Sequence, residues 1–277
     1  MPYPFAHPAA ILPLVRPLGP LAVPSALVIG SVVPDAWYFF SPLLQREHTH
    51  GLAGLFLFCL PAGVAAYFAF HLLLKQPLLE LAPPPLAARL APYAAPGLPR
   101  VRWSAVLVCL LAGASTHLAW DALAHLHSLA QHASTLLGSA VLAVWIWRKL
   151  SRTPPAPLSA PALSEPQRAA VATALLAVAA ASAWWAGTHA SVELVPDLEA
   201  LRRTARITGL AAAQALAVGL IACCLLISAR IRARSRARDR HPADGEWPRR
   251  VATGVEAAPP SGTTRARSSP NGNRSAR

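Results

Sequence analysis

Apolar residues come in runs long enough to cross a bilayer, and the polar residues collect at the ends of those runs. A helix needs about 20 mostly apolar residues to span the hydrocarbon core. Residues 52–74, 103–124, 169–189 and 207–228 each provide such a run. Residues 128–147 provide another once Gln131 and His132 are placed at one end. That run closes on Trp145 and Trp147, just before Arg148 and Lys149. The first apolar stretch, residues 25–40, is short and interrupted by Pro34. It either spans once with a kink or forms a re-entrant or interfacial pair of short helices, one of them over residues 7–15. The pattern predicts an all-α polytopic membrane helical bundle of five or six transmembrane helices.

Between the runs lie Pro-rich loops, residues 75–102 and 151–166, and after Arg230 the character changes again. Residues 231–277 are dominated by Arg, Ser, Gly, Asn and Pro, a composition that cannot build a core and predicts a disordered tail. The expected domains are therefore a helical membrane domain over residues 1–230 and an Arg-rich tail over residues 231–277.

Composition supports the membrane reading. Of 277 residues only 13% are charged and 54% are hydrophobic, where a soluble domain carries about 25% charged residues. The net charge of +13 comes largely from the tail, where twelve arginines face four acidic residues between Ala229 and Arg277. Trp247 is the only aromatic residue there, so a stacking platform for nucleic acid is not expected. Anionic lipid head groups are the expected partner of the tail, and the bilayer that of the helices. Lys and Arg counts orient the chain. With the tail in the cytoplasm, Lys75, Arg89, Arg100, Arg102, Arg148, Lys149, Arg152 and Arg168 are also inside, and Arg46, Arg202, Arg203 and Arg206 are outside. The distribution predicts a multi-pass inner-membrane protein with a cytoplasmic C-terminus. Cys59, Cys109, Cys223 and Cys224 all lie in apolar runs without a CxxC pair, and read as small buried residues.

This orientation gathers the unusual polar groups at the outer helix ends. Asp35 ends the first apolar stretch, His48 and His50 precede the second, and His117, Asp121 and His125 end the third. His132 begins the next. His117, Asp121 and His125 recur every four residues, so they share one helix face. Imidazole and carboxylate are ligands of zinc and related divalent ions. His50 and the Pro34–Asp35 turn could close such a site. A catalytic ion usually keeps one position for water, which it acidifies, and Asp35 or Asp121 could accept the proton. Ionisable groups in a membrane are costly and most often functional. Two other readings of the cluster are interhelical hydrogen-bond glue and an ion or proton pathway.

Several blocks carry a resemblance: PFAHPAA at residues 4–10, SALVIGSVVPD at 25–35, HGLAGLFLFCLP at 50–61, GASTHLAWDALAH at 113–125 and QHASTLLG at 131–138. Together they resemble an uncharacterised bacterial integral membrane family, domain of unknown function 4184, over roughly residues 1–230. More distantly, the order of His, Asp, His, HxxxD and His is similar to inner-membrane metal-dependent hydrolases and to zinc-dependent phospholipase C. That likeness implies His7, Asp35, His50, His117, Asp121 and His125 or His132 as metal ligands. It also implies hydrolysis of a phosphoester or lipid-like substrate at the outer membrane face. A non-catalytic structural membrane protein and an ion- or proton-coupled transporter are the alternatives.

Overall fold

The structure, a computed structural model, describes residues 4–40, 45–124, 128–158, 161–189 and 198–240. The chain divides into two units, Met1–Arg234 and Ser235–Arg277, and the first holds the helical bundle. Among the described residues every regular element is helical. Six helices organise it: α1 (Pro24–Val32), α2 (Leu52–Leu81), α3 (Trp103–Ala124), α4 (Ser128–Arg152), α5 (Glu165–His189) and α6 (Leu198–Arg240).

Four of these are long and apolar enough to cross a membrane: α2, α3, α5 and, over Ala200–Arg236, α6. The α4 helix has 25 residues, a length of about 37 Å. Their outward faces are apolar, with Leu57, Leu137, Leu176, Trp184, Val218 and Leu226 all exposed. Apolar surface on this scale belongs against lipid rather than water. α6 continues through residues 231–240, where composition alone places the start of the tail. The reason is that Arg and Ala are strong helix formers that extend a helix already nucleated by an apolar span.

The first apolar stretch is not among the helices long and apolar enough to cross a membrane. Pro24–Ala36 is a shorter apolar helix, reaching about 20 Å where the hydrocarbon core is about 30 Å thick. It is the returning arm of a hairpin. The outgoing arm is a 3-10 helix, Pro4–Leu14, which contains Pro8 and Pro13. Proline withholds the backbone N–H that an α-helix would need there. The chain reverses at Gly19, whose φ of 48° belongs to the left-handed region that favours glycine. The hairpin is a pair of short helical arms, the second of the two arrangements compatible with the sequence.

Close approach of backbones holds α1 against α3. The Val23 N–H donates to the Cys109 thiol sulfur at 3.3 Å, and His117 reaches the Ser31 carbonyl farther along. The two helices therefore run parallel. A Cβ added to Gly30 would strike the Leu110 carbonyl, and one added to Gly113 would strike the Leu27 carbonyl. Small residues at a helix contact allow van der Waals packing where lipid offers no hydrophobic drive. Ile11, Val23, Leu27, Tyr67, Val106 and Leu110 make the main apolar core around this contact.

α2 is irregular, with π-helical turns at Leu55–Cys59 and Phe70–Leu74. Each turn precedes a proline, Pro61 or Pro77, that cannot donate to the carbonyl four residues back. The carbonyl freed by Pro77 is that of Leu73, and the Ser228 hydroxyl of α6 donates to it at 2.7 Å. Earlier along α6 the Gln214 amide donates to the Tyr38 carbonyl at 2.6 Å. These two bonds lay the last helix along α2 and the hairpin, with Gln214 beside the end that carries Asp35.

Candidate metal centre

Four segments bring five side chains to one place. The 3-10 arm of the hairpin supplies His7, and the turn after α1 supplies Asp35. The bend just before α2 supplies His50, and the last turns of α3 supply His117 and Asp121. All five are nearly excluded from solvent, the most exposed being His50 with 6% of its side chain accessible.

Each imidazole points its Nε2 at the carboxylates. The His7 nitrogen is 3.8 Å from both Asp35 Oδ2 and Asp121 Oδ1. That of His50 is 3.8 Å from Asp35 Oδ1 and 3.5 Å from Asp121 Oδ2. That of His117 is 3.6 Å from Asp35 Oδ1 and 4.0 Å from Asp121 Oδ2. These distances are too long for hydrogen bonds, whose N–H···O separations reach about 3.2 Å. They suit groups that bracket an ion, since two ligands at about 2.1 Å in tetrahedral arrangement lie about 3.4 Å apart. The atoms form two three-ligand sets, His7–His117–Asp121 and Asp35–His50–His117, each within 4.8 Å, and His117 belongs to both.

The outer hydrogen bonds fix which nitrogen is bare. His117 Nδ1 lies 2.8 Å from the Ser31 carbonyl. A carbonyl only accepts, so Nδ1 carries the proton and Nε2 presents a lone pair. The Thr49 hydroxyl donates to the Arg46 carbonyl at 3.1 Å, so at 2.7 Å it accepts from His50 Nδ1. The Nε2 atoms of His50 and His117 and Oδ1 of Asp121 are buried with no hydrogen-bond partner among the described residues. Buried polar atoms of native proteins are rarely left so, and an ion is one way to satisfy them. Burial, and after it the Asp121 carboxylate, push the Asp35 carboxyl up to about 7. Two carboxylates held this close call for positive charge between them.

Of the residues expected as ligands, His7, Asp35, His50, His117 and Asp121 meet. His125 lies outside the described residues, and so does the side chain of His132, whose backbone is in α4. His48 is exposed and turned away. Its Nδ1 accepts the Gln45 N–H at 3.3 Å and caps the turn Arg46–His48. Arg46, which the sequence pattern marks only as an outer basic residue, joins the cluster. Its Nη2 is 3.0 Å from Asp121 Oδ2. The one signal of this in the sequence is that it stands four residues before His50, within one short turn.

A second buried polar group occupies the opposite end of α2. The Lys75 ammonium donates to the Gly97 carbonyl at 2.9 Å and to His71 Nδ1 at 3.2 Å. His71 Nε2 then carries the proton and donates to Ser25 Oγ at 3.0 Å. In that tautomer His71 cannot take a proton from Ser25, so this is a clasp at the foot of the hairpin and not a nucleophile–base pair.

The fold and the cluster define a polytopic helical membrane protein with a buried His/Asp centre. Residues 1–130 match the family model described as Domain of unknown function (DUF4184). All five clustered residues fall within the match, and His132 falls beyond it. No curated protein and no solved structure matches the chain.

Proposed function

We propose that the cluster holds a divalent cation, zinc being the ion its imidazole-rich donor set suits, and that the protein is a metal-dependent hydrolase. Its substrate is a phosphoester or lipid-like molecule at the outer membrane face. The observation that carries this is the set of Nε2-to-carboxylate separations, all between 3.5 and 4.0 Å, with the lone pairs of His50 and His117 facing inward. Bound there, the ion would supply a Lewis acid and lower the pKa of a coordinated water. The chain supplies the rest. Ser31 and Thr49 hold the imidazoles in the ligating tautomer, and burial keeps bulk water away. Asp35 or Asp121 offers the carboxylate oxygen that takes up the water's proton.

A wholly structural cluster would instead join its imidazoles to its carboxylates by direct hydrogen bonds, and those separations here exceed that range. A transport route would need polar groups through the depth of the bundle. Between this centre and the His71–Lys75 clasp lie Val33, Leu55, Cys59, Ala114 and the main core. Elemental analysis of protein purified without chelator tests the reading directly. Divalent metal should be present in the folded wild type, and its absence after incubation with zinc would sink the proposal.

Orientation belongs to the same proposal: the centre faces outward, and the basic loops and the tail, residues 231–277, lie in the cytoplasm against anionic head groups. Because His7 is in the cluster, the N-terminus shares the outer side. A cysteine at position 3, in Tyr3→Cys, should react with an impermeant maleimide in intact spheroplasts. Labelling only after the membrane is opened would reverse the topology.

A further inference from the structure

We infer that Arg46 is a positioning residue that holds back one oxygen of Asp121. That carboxylate then meets the ion through its other oxygen, and a coordination position stays open for water. The inference rests on the metal-centre reading above. The two Asp121 oxygens have unlike surroundings. Oδ2 accepts from Arg46 Nη2 at 3.0 Å. Oδ1 is buried with no hydrogen-bond partner among the described residues, 3.8 Å from His7 Nε2. A ligating carboxylate is commonly oriented by a hydrogen bond from an outer partner. Arg46 is that partner here, and a charged donor on a charged acceptor makes a strong bond.

Arg46 is built in at both ends. Its Nε is buried, so the guanidinium is set into the protein and not loose at its surface. Its carbonyl accepts from the Thr49 and His50 N–H groups, each at 3.0 Å, and from the Thr49 hydroxyl at 3.1 Å. The 3-10 turn Arg46–His48 therefore places the ligand His50 and the residue that restrains Asp121 together. The need for restraint comes from the donor set. Three imidazoles and two carboxylates, each carboxylate able to use both oxygens, offer more atoms than zinc takes in its usual four or five positions. An ion ringed by all of them would have no room for the water it acidifies. Asp121 Oδ2 stands 3.5 Å from His50 Nε2, close enough to join the ion. The bond to Arg46 keeps it from doing so.

The test uses the full chain in micelles, loaded with saturating cobalt in place of zinc. Cobalt absorbs visible light strongly in four- and five-coordinate sites and weakly in six-coordinate ones. Wild type should show the strong band. Arg46→Ala should still load, but its band should weaken several-fold as Oδ2 joins the ion. Azide, a ligand for the open position, should then bind about tenfold or more weaker. Arg46→Lys keeps a donor for Oδ2 and should restore both the band and azide binding. Arg100→Ala, which alters an exposed loop arginine, should match wild type. Arg46→Met keeps the aliphatic stem and repeats the comparison if Arg46→Ala fails to fold. A wild-type spectrum in both Arg46→Ala and Arg46→Met overturns the inference. So does loss of cobalt from both folded variants, which would make Arg46 a prop for the whole cluster. A wild type that loads cobalt with only the weak band sinks this inference and leaves the metal reading standing. A wild type that takes neither cobalt nor zinc sinks both.

Discussion

His117→Ala should strip the protein of its metal, and Asp121→Ala should do nearly as much. His117 is common to both three-ligand sets, so its loss leaves neither complete. Removing an outer partner of a metal ligand costs about 10- to 100-fold in affinity. Removing the ligand itself should exceed about 100-fold. His48→Ala, which touches only the Gln45 N–H, should retain wild-type metal content. Metal retained in full by both His117→Ala and Asp121→Ala would refute the assignment. Stability distinguishes the metal site from structural glue. In chelator, Asp35→Asn removes the carboxylate whose charge burial and Asp121 disfavour, so the apoprotein should melt no lower than wild type. Glue predicts the opposite, a drop in melting temperature whether or not metal is present.

Gly113→Val should prevent the hairpin from docking. The first atom of the new side chain already collides with the Leu27 carbonyl and crowds the Ser31 N–H. Backbone cannot swing aside as a flexible side chain can, so the loss should be about 3 kcal/mol or more, at the upper end for overpacked sites. The Ser31 carbonyl that fixes the His117 tautomer moves with the helix, and metal binding should fall with it. Gly51→Ala is the control, because its added methyl meets only the Glu47 carbonyl, at 3.9 Å. That change should stay within about 0.5 kcal/mol. Equal melting of the two variants in detergent would show that the α1–α3 contact is not as tight as its geometry implies.

The spans are legible in the sequence because length and apolarity alone decide them; α2, α3 and the apolar part of α6 need no tertiary information. The pairing of His117 with Asp121 is legible for a similar reason, a four-residue step on one helix. The role of His7 is not readable from spacing, because Pro8 and Pro13 impose a 3-10 path with no apolar period to follow. Only the resemblance points to it. Arg46 escapes notice because a lone arginine near a helix start is indistinguishable from an ordinary interfacial charge until its partner is seen. The π-turns of α2 are hidden as well, although Pro61 and Pro77 mark where they fall.

The hairpin also sets an order of events during synthesis. Its returning arm lies parallel to α3, and the groups that seat it, Cys109, Gly113 and His117, come more than 80 residues later in the chain. When residues 4–36 leave the ribosome, their binding surface has not yet been made. Among the described residues α2 is the first segment long and apolar enough to cross the bilayer. Maturation of the centre is therefore a late step, and His7, among the first residues translated, is among the last to find its place.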